Sequence, residues 1–250
     1  MDKTANIAVA GEGTANVKAF GAAGDGKADD TLAIRAAIVA LPPRGGVLYF
    51  PPGHYLTDTI YPPSFTTLLG QAAWSYQDPG GTVISPVRET QPRLIDLNGK
   101  CGTRLTGLAL QGRKLGAEMA GVFTSRGTGG EQNIVIDNCR IAEFSGCGLA
   151  MNESHVWCIR HSLFMGNRLD GIDASKSFDG WITASMLVAN GRCGLALNNS
   201  TTVTGNRIEH NGHTGISINR YYGQHLQITG NLFCSEFGPA IDFLEGNVRA

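Results

Sequence analysis

Apolar and polar positions recur in a fixed order from residue 136 onwards. Five segments share the order apolar, two variable, small or amide, one variable, apolar, and they begin at Ile136, Ile159, Ile182, Val203 and Ile228. A Gly or Ala followed by an apolar residue comes nine residues after the small position in all five. From Cys139 to Asn231 four repeats span 92 residues, a mean of 23. A period of this length is typical of solenoid folds.

The intervals between these positions are too short for helices of ten or more residues. Their β-branched, aromatic and glycine content instead predicts strands of about three to five residues separated by tight turns. Strands that recur with the same alternation can pair with their own copies in the next coil, and this gives parallel sheets stacked along one axis. The pattern therefore predicts an all-β fold, a parallel β-helix of about eight or nine coils. A leucine-rich horseshoe is not favoured, because its repeat pattern and helical back are absent.

The repeat also predicts ladders of like residues. Two apolar ladders are expected in the interior, one through Ile136, Ile159, Ile182, Val203 and Ile228 and the other through Ile141, Phe164, Leu187, Ile208 and Phe233. A small or polar inward ladder is expected at a bend, through Cys139, Ser162, Ser185, Asn206 and Asn231. Because Asn tolerates left-handed backbone and bonds locally, a turn ladder is expected of Asn167, Asn190 and Asn211.

The first 45 residues follow a different pattern, that of a strand, a glycine-rich turn and a helix. Asp29 or Asp30 is the expected N-cap, Ile34 and Ile38 lie on the apolar face, and Pro42-Pro43 ends the helix. We expect one domain over residues 1–250, with the strand and a capping helix in 1–45, the coils in 46–250, and an incomplete C-terminal end. The first sixteen residues contain no apolar core of a signal peptide.

Two stretches of this region carry a specific signature. They are Asn16-Val-Lys-Ala-Phe-Gly-Ala-Ala-Gly-Asp-Gly-Lys-Ala-Asp-Asp30 and Arg44-Gly-Gly-Val-Leu-Tyr-Phe-Pro-Pro-Gly-His-Tyr55. They closely resemble the N-terminal signature of pectate-lyase-superfamily proteins related to the polygalacturonases. The resemblance implies a right-handed, single-stranded, pectin-lyase-like parallel β-helix, chemistry on polysaccharides, and a secreted or extracellular location. Phage tailspikes and inactive binding proteins share the signature, so it indicates the fold more narrowly than the activity.

Composition limits the classes of partner. Twenty Lys and Arg against 21 Asp and Glu leave a net charge of -1, so there is no basic excess to neutralise nucleic-acid phosphates. The chain has no run of eighteen apolar residues, and we expect no membrane partner. The expected partner is a polysaccharide or oligosaccharide, and a homotrimer is an open alternative to a monomer.

Stacking the coils brings chemically active residues together. Four of them fall within two or three adjacent coils, about 5 to 10 Å apart, and are the candidate catalytic residues: Asp170, Asp173, Arg192 and His213. The expected substrate-binding residues are Ser217 and, on the longest loop, Arg220, Tyr221 and Tyr222. Residues 167–173 and 212–218 also resemble the Asn-Thr-Asp-Gly-x-Asp and Gly-His-Gly-x-Ser-Ile motifs of polygalacturonases. Their Asp-Asp pair is absent, because residues 190–193 are Asn-Gly-Arg-Cys.

These residues leave several chemistries open. Glycosidic hydrolysis needs two carboxylic groups at a set separation, and Asp170 with Asp173 is the available pair. β-Elimination on a uronic acid would use Arg192 or His213 to abstract a proton or stabilise charge, with a carboxylate holding a cation such as Ca²⁺. We therefore expect an enzyme that cleaves glycosidic bonds of an acidic polysaccharide as a lyase or hydrolase. The alternative is a non-catalytic glycan-binding or tailspike-like scaffold, in which these charges form solvated surface ladders.

Overall fold

The chain winds into successive coils whose strands pair in parallel. The computed structural model describes residues 13–71, 74–126, 131–198, 200–219 and 225–244. One parallel sheet has nine strands, each one coil further along the axis. They are β2 (Asp25–Asp29), β4 (Gly53–Thr57), β6 (Thr82–Pro86), β9 (Ala109–Gln111), β12 (Arg140–Ala142), β14 (Leu163–Met165), β16 (Met186–Val188), β19 (Arg207–Glu209) and β22 (Leu232–Cys234).

A second sheet of fourteen strands covers the rest of each coil. Its strands form two series, here called strips, in which each strand pairs with its neighbours in the adjacent coils. One strip contains β1 (Thr14–Asn16), β3 (Gly46–Tyr49), β5 (Thr66–Leu69), β8 (Arg104–Thr106), β11 (Ile134–Asp137), β18 (Thr201–Thr204) and β21 (Gln227–Thr229). The other strip contains β7 (Arg93–Asn98), β10 (Ala120–Ser125), β17 (Cys193–Leu197), β20 (Thr214–Ile218) and β23 (Ile241–Phe243). Two strands of twelve residues run through both strips, β13 (Leu149–Arg160) and β15 (Ile172–Thr183). The predicted parallel β-helix is therefore confirmed.

The predicted helix lies at the N-terminal end of the coils. A short 3₁₀ helix covers Val17–Phe20, and α1 covers Thr31–Val39. Of the two predicted N-cap residues, Asp30 holds that position but makes no side-chain capping bond, and Asp29 Oδ1 accepts the Thr31 N–H at 3.0 Å from one residue further back. The carboxylate of Asp30 instead accepts the N–H groups of Ala23 and Gly24 and ties down the preceding turn. No helix in the described ranges is long and apolar enough to cross a membrane.

Both apolar ladders form as predicted. In the first, Ile159 pairs with Ile136 on one side and Ile182 on the other, and the series continues to Val203 and Ile228. In the second, register pairs join Ile141, Phe164, Leu187, Ile208 and Phe233. Their members up to residue 208 are at most 1% exposed. The interior of the β-helix is thus a stack of like apolar side chains, which is the main source of its stability.

The polar ladders also form, and hydrogen bonds between coils explain why. At the bend, each backbone N–H from Cys139 to Asn206 donates to the side-chain oxygen of the next member, at 2.9 to 3.2 Å. At the turn, the amide of Asn190 accepts from Asn167 Nδ2 at 2.9 Å and donates to Asn211 Oδ1 at 3.0 Å. Each amide bonds to its own copy, so a buried polar column satisfies itself.

The glycines of the repeat have a steric cause. A Cβ atom on Gly171 would lie 2.6 Å from the Gly194 oxygen and 2.8 Å from Asn190 Nδ2. Gly148 and Gly194 meet the same obstacles one coil away on either side. Since only glycine leaves room for the next backbone and the Asn ladder, the sequence repeats glycine at this position.

Candidate functional site

The outward surface of five adjacent coils places the candidate residues side by side. Register pairs on β13, β15, β17, β20 and β23 align one outward column, which runs Ala150, Asp173, Ala196, Ser217 and Asp242. A second column lies at the preceding corner, because Arg192 N donates to Leu169 O at 3.1 Å and His213 N donates to Arg192 O at 2.9 Å. Both columns have the order that the repeat predicts.

A cavity of about 460 Å³ opens between these columns, and we call it the first cavity. Asp173, Arg192, His213 and Ser217 all line it. Arg192 and His213 are exposed, whereas Asp173 is half-buried. The structure therefore gathers four of the eight predicted site residues around one space that is open to solvent.

Asp170 has a different environment from the one expected of a catalytic acid. Its side chain is completely buried and is held in a two-point ion pair by Nε and Nη2 of Arg192. The backbone N–H of Cys193 adds a third hydrogen bond at 3.0 Å. A carboxylate enclosed in this way cannot contact a substrate, so the geometry supports a positioning role for Asp170 instead of the predicted catalytic role.

Arg192 is consequently a fixed cation at the edge of the first cavity. The hydrogen bonds that Arg192 donates to Asp170 raise the pKa of Arg192 further above its ordinary value, against the effect of burial. About half of its side chain remains exposed, so the outer part of the guanidinium is accessible. Arg192 can stabilise negative charge, but it cannot act as the proton-abstracting base.

His213 lies one coil from Arg192 and is the exposed imidazole of the first cavity. Its Nδ1 lies 3.0 Å from the hydroxyl of buried Thr214. If Nδ1 carries the proton and donates it to Thr214, Nε2 keeps its lone pair and can accept a proton. The neighbouring threonine is therefore able to select the tautomer that acts as a base.

Asp173 is oriented by its own strand. The Ser175 hydroxyl and the Ser175 N–H both donate to Asp173 Oδ1, at 2.7 and 3.1 Å. Two-carboxylate hydrolysis needs a partner about 5 to 9.5 Å away, yet Asp170 is already paired. Asp242 lies three coils further along the same column, about 14 Å away. The arrangement of carboxylates among the described residues therefore gives little support to hydrolysis.

A cluster of possible metal ligands lies beneath the first cavity. Ligand atoms of Cys147, Asp170 and Asp173 lie within 4.8 Å of one another. Burial raises the pKa of the Cys147 thiol to about 12, with a further contribution from Asp170, so the thiol stays neutral. Ca²⁺ prefers six to eight oxygen ligands, and the guanidinium of Arg192 already occupies Asp170. These residues do not fit the Ca²⁺ ion expected for a lyase.

Several residues that line the first cavity were not predicted from the sequence. Ser175, Asn219 and Leu244 are among them. Ser175 could have been found, because it lies two residues after Asp173 and so faces the same side of the strand. The predicted residues Arg220, Tyr221 and Tyr222 lie outside the residues that the structure describes, and their predicted role stays a prediction.

One protein family has a model that matches most of this chain. The model of the rhamnogalacturonase A/epimerase, pectate lyase-like family matches residues 14–227. The chain belongs to this family. The matched range includes the capping helix and most of the residues that line the first cavity.

Curated relatives are mannuronan C5-epimerases of Azotobacter vinelandii. AlgE6 is 29% identical over 201 residues, which cover 74% of this chain and 23% of AlgE6. AlgE1 is 31% identical over 223 residues, which cover 82% of this chain and 16% of AlgE1. The family member described here therefore spans less than a quarter of the length of these two relatives.

Solved structures share the same β-helix. The A-module of AlgE6 from Azotobacter vinelandii has a TM-score of 0.72 at 25% identity, over 88% of this chain and 62% of that one. The tailspike gp49 of the Acinetobacter baumannii bacteriophage Fri1, a capsular polysaccharide depolymerase, has a TM-score of 0.68 at 10% identity. That match covers 92% of this chain and 49% of the tailspike, and it shows the fold alone.

Proposed function

We propose that this chain binds an acidic polysaccharide along the first cavity and acts on a uronic acid at C5 by β-elimination. The observation that carries the proposal is the fixed position of the Arg192 guanidinium. Buried Asp170 holds this group, and His213 lies one coil away from Arg192. A fixed guanidinium suits the planar carboxylate of a uronate. A secreted location would bring the protein to such a polysaccharide and stays a prediction, as does a trimer.

Charge stabilisation is the contribution proposed for Arg192. Removing a proton from C5 pushes an electron pair towards the neighbouring carboxylate, which then carries more negative charge than in the bound sugar. A cation that is already in place stabilises this charge without rearranging. Because Asp170 fixes the inner side of Arg192, the exposed side can face the substrate.

Proton transfer is the contribution proposed for His213. Its Nε2 takes the C5 proton, the C4–O bond then breaks, and a C4=C5 double bond forms. The departing oxygen receives a proton from the imidazolium, which returns His213 to its neutral form. One group can serve both steps, so a single accessible histidine is sufficient for elimination.

Epimerisation is the second candidate reaction, since the curated relatives are named mannuronan C5-epimerases. It shares the first step with elimination but returns the proton to the opposite face of C5, and it therefore needs a second proton donor. Burial raises the pKa of Cys193, a thiol lining the first cavity, to about 12, which makes it a weak donor. We therefore favour elimination.

A non-catalytic glycan-binding module is the alternative from another class. The neighbours of Asp173 in the outward column are Ala150 and Ala196, which have no group for acid or base chemistry. This observation favours binding without turnover, and a direct assay separates the two proposals.

The assay uses oligomers of mannuronate, guluronate and galacturonate and a neutral glucan. Elimination predicts absorbance of an unsaturated uronide together with new reducing ends. Epimerisation would leave the reducing ends unchanged and alter the C5 proton signal in nuclear magnetic resonance spectra. Binding to a uronate oligomer without either product would support the glycan-binding module, and an absence of binding to every uronate would overturn the proposal.

Matched variants test the roles proposed for His213 and Arg192. His213→Ala should lower turnover by about 100-fold or more, which is the size of a general acid-base contribution. Arg192→Ala should weaken uronate binding as well as turnover. The controls are Arg104→Ala and His210→Asn, which change exposed residues on other parts of the coil. Unchanged turnover in both site variants would place the chemistry elsewhere.

A further inference from the structure

A second cavity of about 580 Å³ lies next to the first. Its lining includes two cationic residues, Arg126 and Lys176, one exposed carboxylate, Glu153, and the rings of His155 and Phe178, so the cations outnumber the anion. Ser175 lines both cavities, and so does Asn219. The two spaces are therefore neighbours on one face of the β-helix.

The second cavity forms where the pairing of the two long strands changes register. Leu149 pairs with Ile172, whereas Asn152 pairs with Lys176, so β15 contains one more residue than β13 over this stretch. The register shifts again before His155, which pairs with Phe178. Such bulges bend a strand and redirect its side chains, and here they turn Lys176 out of the regular columns.

A buried amide holds two walls of the second cavity in place. Gln132 is 2% exposed, its Oε1 accepts the His155 N–H at 2.7 Å, and its Nε2 donates to the Arg126 carbonyl at 3.1 Å. The His155 ring stacks on Phe178 with 4.9 Å between ring centroids. The walls are therefore fixed by contacts between coils and do not depend on the exposed side chains.

The polar groups of this cavity suit an anionic sugar. Arg126 and Lys176 are exposed and can pair with a carboxylate. Asn198 and Asn219 also line this cavity, and an amide group that faces it can bond to sugar hydroxyls. Ser175 Oγ donates to Asp173 Oδ1 at 2.7 Å, so one residue joins the second cavity to the reactive side of the first.

We propose that the second cavity binds the uronate next in the chain to the one held at Arg192, so that the site recognises at least two consecutive anionic sugars. This inference rests on the proposed function, because it assumes an acidic polysaccharide in the first cavity. It assigns carboxylate binding to Arg126 and Lys176.

The test measures affinity against oligomer length. Mannuronate oligomers of increasing length are titrated calorimetrically at low ionic strength into the His213→Ala variant, which prevents turnover. We compare this protein with the same protein carrying Arg126→Ala and Lys176→Ala. The charge-matched control carries Lys27→Ala and Arg104→Ala, two exposed residues outside both cavities.

The expected result is a gain in affinity on going from one sugar to longer oligomers. That gain should fall by about tenfold in the Arg126 and Lys176 variant and remain in the control. Oligomers whose carboxylates have been reduced to alcohols should lose the same gain. Circular dichroism spectra that match the parent protein would show that the variant is folded.

Two outcomes would overturn the inference, and they differ in their bearing on the proposed function. If the length dependence survives in the Arg126 and Lys176 variant while Arg192→Ala abolishes binding, the second cavity is not a subsite but the proposed function stands. If no uronate oligomer binds the parent protein, both fail.

Discussion

Two columns in the same coils are built in opposite ways. At one turn Asn167, Asn190 and Asn211 repeat the same residue, and each amide bonds to its copy in the next coil. Next to the first cavity the residue changes at every coil, as at Asp170, where the adjacent coils have cysteines. A repeated residue is explained by stability. A position where the repeat is broken must be explained by what its side chain contacts.

Asp170 illustrates the second case. A carboxylate that replaces a small residue at a buried corner needs a counter-ion, because an unpaired buried charge is strongly unfavourable. Arg192, the residue immediately before β17 in the next coil, supplies it. With Asp170 at this corner instead of a small residue, the corner holds an exposed cation in a fixed position. The repeat gains a candidate site in this way.

Substitutions in the apolar ladders should cause the largest loss of the free energy of unfolding. Phe164→Ala removes a fully buried ring between Ile141 and Leu187 and should cost about 3 to 5 kcal/mol of the free energy of unfolding. Trp181→Ala, an outward residue that is 45% exposed, should cost much less. Denaturant unfolding measures both, and equal losses would contradict the assignment of the core.

Substitutions in the Asn ladder should cause the second largest loss of the free energy of unfolding. Asn190→Ala removes the acceptor of Asn167 Nδ2 and the donors to Asn211 Oδ1 and to the Phe164 carbonyl. The cost should be about 2 to 4 kcal/mol, since several buried groups lose their partners. Asn152→Ala, at an exposed position, should change the free energy of unfolding by less than about 0.5 kcal/mol. If Asn190→Ala were equally mild, the ladder would not be a source of stability.

Loss of the ion pair between Asp170 and Arg192 should have an intermediate effect on the free energy of unfolding. Arg192→Ala leaves the Asp170 carboxylate buried without its counter-ion and should cost about 1 to 3 kcal/mol, less than for a fully buried pair because Arg192 is half exposed. Adding Asp170→Asn to Arg192→Ala should recover part of this loss. A double-mutant cycle measures the coupling, and strictly additive effects would show that the two side chains do not interact.

The smallest effect concerns a contact between distant parts of the chain. Tyr76 donates to Glu209 at 2.9 Å, and Arg207 pairs with the same carboxylate. Burial acts to raise the pKa of Glu209, but these hydrogen bonds lower it overall, so its stabilisation is present above about pH 4.5 and is lost as the pH falls further. Burial and the bond to Glu209 raise the pKa of Tyr76 to about 12, so its contribution is lost as the pH rises from 10 towards 12.

Tyr76→Phe tests this contact. The variant should lower the free energy of unfolding at pH 7 by no more than about 1 kcal/mol, with a smaller difference from the parent protein below pH 4. Unfolding midpoints at pH 3.5, 7 and 11 measure this. A difference that did not change with pH would mean that Tyr76 acts through packing alone.

The amino-acid sequence by itself determined the coil, its ladders and the capping helix. The reason is geometric. When parallel strands pair with their own copies, residues one period apart must lie above one another, so Ile159 and Ile182 share a stack as soon as the period is known. For the same geometric reason Arg192 and His213 lie in one column, as predicted.

Only the tertiary structure decided which of those residues line the first cavity. The period places Asp170 beside Arg192, but burial at the corner makes it an internal partner of the arginine and not an acid in the cavity. The second cavity depends on a register shift between two long strands, and the contact of Tyr76 with Glu209 depends on where a loop crosses the coils. These features arise where the chain departs from its repeat, and there packing against distant residues sets the outcome, which no local pattern encodes.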